Sequence, residues 1–123
     1  MRCMDVMSRN LFSIGPSDSV MSAACRMRDA NVEFLLVCSA AGQVLGTLTD
    51  RDVALRLAAE DRIASRSSVD DIMTPDVVSC LATDDVARAH ELMFQVGAPR
   101  VLVTNDEGRL QGVVGLRDLT PRD

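Results

Sequence analysis

Two short elements carry most of the polar chemistry in this chain: Gly46-Thr47-Leu48-Thr49-Asp50-Arg51-Asp52 and Gly112-Val113-Val114-Gly115-Leu116-Arg117-Asp118. In the first, Gly46 removes a side chain where backbone must come close to a ligand or a neighbouring strand. Thr49 stands at the mouth of a helix, where its hydroxyl can join free N–H groups around an anion such as a phosphate. Asp52, one turn further on, presents a carboxylate able to accept both hydroxyls of a ribose. Threonine followed three residues later by an acid is equally the pattern of a capping box, whose loss costs ~1 kcal/mol. The local residues leave both roles open.

Other chemistries find little support. The one histidine is His90, and the four cysteines (3, 25, 38 and 80) form no C-x-x-C pair, so no metal set can be assembled from spacing. There is no Ser-His-Asp or Cys-His arrangement and no Walker-type loop, which speaks against an enzyme. The net charge is −5, with no lysine and 2 % aromatic residues, which argues against nucleic acid as a partner. No apolar run reaches the roughly 20 residues that cross a bilayer. The stretch Met1–Met7 lacks the apolar core of a signal peptide. The expectation is a cytoplasmic protein with reduced thiols, Cys3 and Cys38 being the pair to examine for a redox link.

The elements that position these residues come in duplicate. A fixed offset of 66, placing residue 5 on residue 71, aligns the two halves without a gap. Asp5-Val6-Met7-Ser8 meets Asp71-Ile72-Met73-Thr74, Ala23 meets Ala89, Met27 meets Met93, Gly46 meets Gly112, and Arg51-Asp52 meets Arg117-Asp118. Each half begins with a short apolar run (Leu11–Ile14, Val77–Cys80) that reads as a strand. A turn follows, with Ser17 or Thr83 as the expected N-cap. Val20, Ala23, Ala24 and Met27, and then Val86, Ala89, His90 and Met93, form the stripes of amphipathic helices. This places His90 on an apolar face. Phe34–Cys38 with Val44–Leu48, and Arg100–Thr104 with Leu110–Val114, read as hairpins turning at glycines. A helix is expected over Asp50–Glu60, and its counterpart is cut short by Pro121. Residues 61–69 read as the connector. With so few aromatics, the core must be aliphatic.

The duplication, the D-[VI]-M-[ST] openings and the G-h-x-[ST]-x-x-D element resemble the cystathionine-β-synthase-type (CBS) family along essentially the whole chain. The resemblance implies an α/β (α+β) fold of two β-α-β-β-α repeats, 1–66 and 67–123, related by a pseudo-twofold axis. It also implies two clefts that take an adenosine-containing nucleotide: AMP, ADP, ATP or S-adenosylmethionine. The main cleft would use Thr47, Thr49, Asp52, Ser79, Cys80, Ala98 and Pro99, with Asp52 on the ribose. The second would use Val32, Glu33, Phe34, Arg100, Gly115 and Asp118. It should be weaker, because Gly115 replaces the hydroxyl residue and Glu33 adds a negative charge. Leu36 and Leu102 stand where the family commonly has proline.

The function implied is a regulatory sensor that needs no cofactor or metal, forms a homodimer and acts on an effector protein the sequence does not name. The alternative is a ligand-free scaffold using the outer helix positions Met21, Cys25, Leu92 and Phe94.

Overall fold

The computed structural model describes residues 1–75 and 77–119. In chain order its elements are α1 (Cys3–Val6), β1 (Ser13–Ile14), α2 (Val20–Ala30), β2 (Phe34–Cys38), β3 (Val44–Thr49), α3 (Asp50–Asp52), α4 (Val69–Ile72), β4 (Ser79–Leu81), α5 (Val86–Val96), β5 (Arg100–Thr104) and β6 (Leu110–Gly115). A π-helical stretch, Val53–Ala58, continues α3, a 3-10 turn spans Ala64–Arg66, and another, Leu116–Leu119, follows β6. The fold is mixed α and β, with two three-stranded sheets. Pro121 lies outside the described residues.

Contacts divide the chain into two compact units, 12–77 and 1–11 with 78–123. These divisions differ from the sequence repeats, because each repeat's opening segment packs on the sheet of the other repeat. In unit 12–77, β1 runs parallel to β2, and β2 pairs antiparallel with β3 from Phe34↔Thr49 to Cys38↔Val44. Leu35, Val37 and Leu48 from the sheet, Val20, Ala23 and Met27 from α2, and Val69 and Ile72 from α4 form its core. The other unit repeats the plan with β4, β5 and β6, closed by Cys3, Cys80, Ala89, Met93, Val101, Val103 and Val114. Both hairpins carry an irregularity at matching places, Val37/Cys38 and Val103/Thr104.

Several local expectations change. The helices begin at Val20 and Val86, capped by Ser19 and Asp85 rather than Ser17 and Thr83. Asp18 and Asp84 explain the delay: each carboxylate accepts a backbone N–H three residues back (Gly15, Leu81; both 2.9 Å), closing a turn before the helix starts. His90 is exposed, so the apolar stripe of α5 is Val86, Ala89 and Met93 without it. Leu92, expected outside, packs against the core of its unit. The connector is partly structured. Ser67 is buried, its hydroxyl donating to the Ile63 carbonyl (2.8 Å) while its own carbonyl accepts the Val20 N–H (2.9 Å).

Candidate functional site

Thr49 ends β3 and caps α3. Its hydroxyl accepts the Asp52 N–H (3.0 Å), and its own N–H donates to Asp52 Oδ2 (3.0 Å), completing a reciprocal capping box. Of the two roles the sequence left open, the cap is present. Asp52 is nearly buried, at 8 % exposure. Its carboxylate also accepts the Thr74 hydroxyl (3.2 Å to Oδ1, 3.4 Å to Oδ2), with the Arg56 Nε 3.9 Å from Oδ1. Arg56 donates as well to the Met73 carbonyl at 2.9 Å. An ionised carboxylate offers about four acceptor positions, and these protein donors leave part of that capacity unused.

The glycine of the element answers to protein packing. A Cβ on Gly46 would stand 2.5 Å from the Thr74 carbonyl oxygen, 3.1 Å from Met73 Sδ and 3.3 Å from Pro75 Cα. Thr47 and Thr74 exchange both backbone hydrogen bonds beside it (2.9 and 2.8 Å). Gly112 does the same for segment 1–11, where Val113 and Ser8 exchange bonds and a Cβ would meet the Ser8 oxygen and Met7 Sδ at 2.7 Å.

The offset of 66 persists in the hydrogen bonding of both elements. Gly115 N–H donates to Asp118 Oδ2 (2.7 Å) as Thr49 does to Asp52, but Gly115 has no hydroxyl to return the bond. Asp50 N–H donates to the Glu33 carbonyl, and Leu116 N–H to that of Pro99 (both 3.0 Å). Val32 and Ala98 N–H groups close the ends of α2 and α5 onto Met27 and Met93.

The structure thus gathers Thr47, Thr49 and Asp52 in unit 12–77, with Val32, Glu33 and Phe34 at the entry of β2. Ser79, Cys80, Ala98, Pro99, Arg100, Gly115 and Asp118 belong to the other unit. Among these, Cys80 departs from its expected place on a ligand wall. Strand alternation turns its thiol into the core and leaves Ser79 exposed. Thr74 is the residue sequence reasoning missed. Its signal was its place in the D-[VI]-M-[ST] opening, a hydroxyl recurring at the end of both copies. Among the described residues no cluster of three His, Cys, Asp or Glu could hold a metal ion, and no helix is long and apolar enough to cross a membrane.

The chain is similar to several known proteins. The CBS domain-containing protein YhcV of Bacillus subtilis is 32 % identical over 115 residues, covering 94 % of this chain and 80 % of that protein. An inosine-5'-monophosphate dehydrogenase of Methanocaldococcus jannaschii is 31 % identical over 118 residues, 96 % of this chain. The chain spans only 23 % of that enzyme's length. A CBS domain protein from Pyrobaculum aerophilum complexed with AMP superimposes with a TM-score of 0.86 at 22 % identity, covering 99 % of this chain and 92 % of that one. The CBS domain pair of protein MJ0100, in complex with 5'-methylthioadenosine and S-adenosyl-L-methionine, gives 0.80 at 24 % identity, with 97 % and 92 % covered. The CBS domain model itself matches twice, at residues 3–59 and 69–121, and the chain belongs to that family.

Proposed function

We propose that this chain is a regulatory module that binds an adenosine-containing nucleotide through Thr47, Thr49 and Asp52. The observation that carries the reading is the state of the Asp52 carboxylate. Though only 8 % exposed, it is fixed in place by the Thr49 N–H and the Thr74 hydroxyl with Arg56 Nε at 3.9 Å, and these donors do not exhaust the acceptor capacity that a vicinal diol would use. Thr49, whose oxygen accepts the Asp52 N–H, has its own proton to donate to a phosphate. The two relatives solved with AMP and with S-adenosyl-L-methionine carry ligands that share this adenosine chemistry. Binding would act by favouring whichever conformation of the module holds the ligand better.

Calorimetric titration of AMP, ADP, ATP and S-adenosylmethionine tests the reading. At least one should bind the wild type and raise its melting temperature. Asp52→Ala should lose far more affinity than Asp118→Ala, since the Gly115 element lacks the hydroxyl. Gly115→Thr should strengthen that second element. A Cβ there meets nothing closer than Asp118 Oδ2 at 3.6 Å, and the new cap with reduced backbone freedom should add about 0.5–1 kcal/mol of stability. Silence from all four ligands would overturn the nucleotide reading, and equal losses in the two alanine variants would overturn the asymmetry.

Phe94 (85 % exposed) and Met21 (52 %) favour assembly into a homodimer, with or without ligand, because large apolar side chains on outer helix faces gain by leaving water. Light scattering at micromolar concentration should then give twice the chain mass, and a single-chain mass would reject this part of the proposal.

A further inference from the structure

The sulfur beside Cys3 belongs to Cys80, not to Cys38 as the sequence suggested. The two Sγ atoms lie 3.5 Å apart, both residues buried. From this contact we infer a reversible modification site: Cys3 and Cys80 form an intramolecular disulfide that fastens segment 1–11 to β4.

Packing alone does not call for thiols here. At the offset of 66 the same positions in the other unit are Val69 and Ile14, both part of an aliphatic core. Only one copy of the duplicated fold places two sulfurs together. Backbone bonds hold the start of segment 1–11 against the turn that follows β4. The Cys3 N–H donates to the Asp84 carbonyl (2.8 Å), Met4 N–H to that of Ala82 (3.0 Å), and Val86 N–H to that of Met1 (3.0 Å). Closing from 3.5 Å to a bond of about 2.05 Å asks the two sulfurs to approach by about 1.5 Å.

Burial governs the rate. It pushes the Cys80 thiol up to about 12, the bond to Cys3 adding to the effect, and raises Cys3 as well, so the closed pair is unreactive. Reaction therefore awaits opening of segment 1–11, whose only helix has four residues. A low-molecular-weight disulfide is the oxidant. The exposed Cys3 thiolate attacks one of its sulfurs and expels the first thiolate. Cys80 then loses its proton and attacks the Cys3 sulfur, expelling the second. Two protein thiols become one disulfide, and the small disulfide leaves as two thiols.

The test is incubation of the native chain with oxidised glutathione, alkylation of remaining thiols and peptide mapping. The expected product joins the Cys3 and Cys80 peptides, lighter by two hydrogens, with Cys25 and Cys38 alkylated. It should melt about 5–15 °C higher, reversibly with dithiothreitol. The Cys25→Ser/Cys38→Ser double variant should respond as wild type, and Cys3→Ser should not. Recovery of Cys3 and Cys80 as separate alkylated or glutathionylated residues from the oxidised native chain would overturn the inference. That mapping uses the wild type, so it decides the matter even if a variant fails to fold.

Discussion

Gly46→Ala should lower unfolding stability by about 2–4 kcal/mol, combining overpacking with the strain on two backbone hydrogen bonds. The added methyl would stand 2.5 Å from the Thr74 carbonyl oxygen, a distance no real Cβ contact tolerates, and backbone cannot swing aside as a flexible side chain can. Relief requires residues 73–75 to move off β3. That movement strains the paired bonds between Thr47 and Thr74 and carries away the hydroxyl that Asp52 accepts. Gly115→Ala is the matched control, since its methyl meets only ordinary contacts beginning at 3.6 Å. Urea denaturation of the two variants checks the difference. A loss below about 1 kcal/mol for Gly46→Ala would mean that Thr74 is not clamped against β3 as described.

That contact also shows how far the sequence could be read. The hairpins were legible at their openings: short continuous apolar runs at Phe34–Cys38 and Arg100–Thr104, each bounded by a glycine turn, read as buried strands. The α2 stripe was legible too, three buried residues at helical spacing. What escaped was the exchange of opening segments. The helices Cys3–Val6 and Val69–Ile72 have four residues each, too few to show a period, and nothing local says which sheet buries Val69 and Ile72 completely. With that exchange hidden, Gly46 could be read only as facing a ligand or a strand, and Thr74 not at all.

The capping box of Thr49 and Asp52 was legible from its spacing, but the Thr74 hydroxyl on the same carboxylate was not. A spacing of three residues is what a reciprocal cap requires, whereas Thr74 lies 22 residues beyond Asp52 along the chain and carries no local sign of its bond to that residue. Cys80 was assigned to a ligand wall by the family resemblance alone, while the alternation of a three-residue strand turns its middle side chain inward.

Asp52 is where capping and ligand binding can be separated by experiment. Asp52→Ala removes the acceptor for both the Thr49 N–H and the Thr74 hydroxyl, and two partly buried donors left without a partner should cost about 2–4 kcal/mol. Thr74→Val removes one bond only and should cost about 1 kcal/mol. In the double variant the costs should fall short of their sum by about 1 kcal/mol, the coupling of the shared hydrogen bond. Asp52→Asn is the discriminating change. Its amide oxygen can still accept the Thr49 N–H and keep most of the cap, but its NH2 group replaces an acceptor that the ribose diol needs. Nucleotide affinity should then drop about tenfold or more, near 1.4 kcal/mol, with the folded chain largely intact. Thr74→Val should leave affinity within about threefold of wild type, because it frees acceptor capacity on the carboxylate rather than removing it. If Asp52→Asn binds the nucleotide as tightly as wild type, the carboxylate serves the helix alone and the ligand is held by other groups.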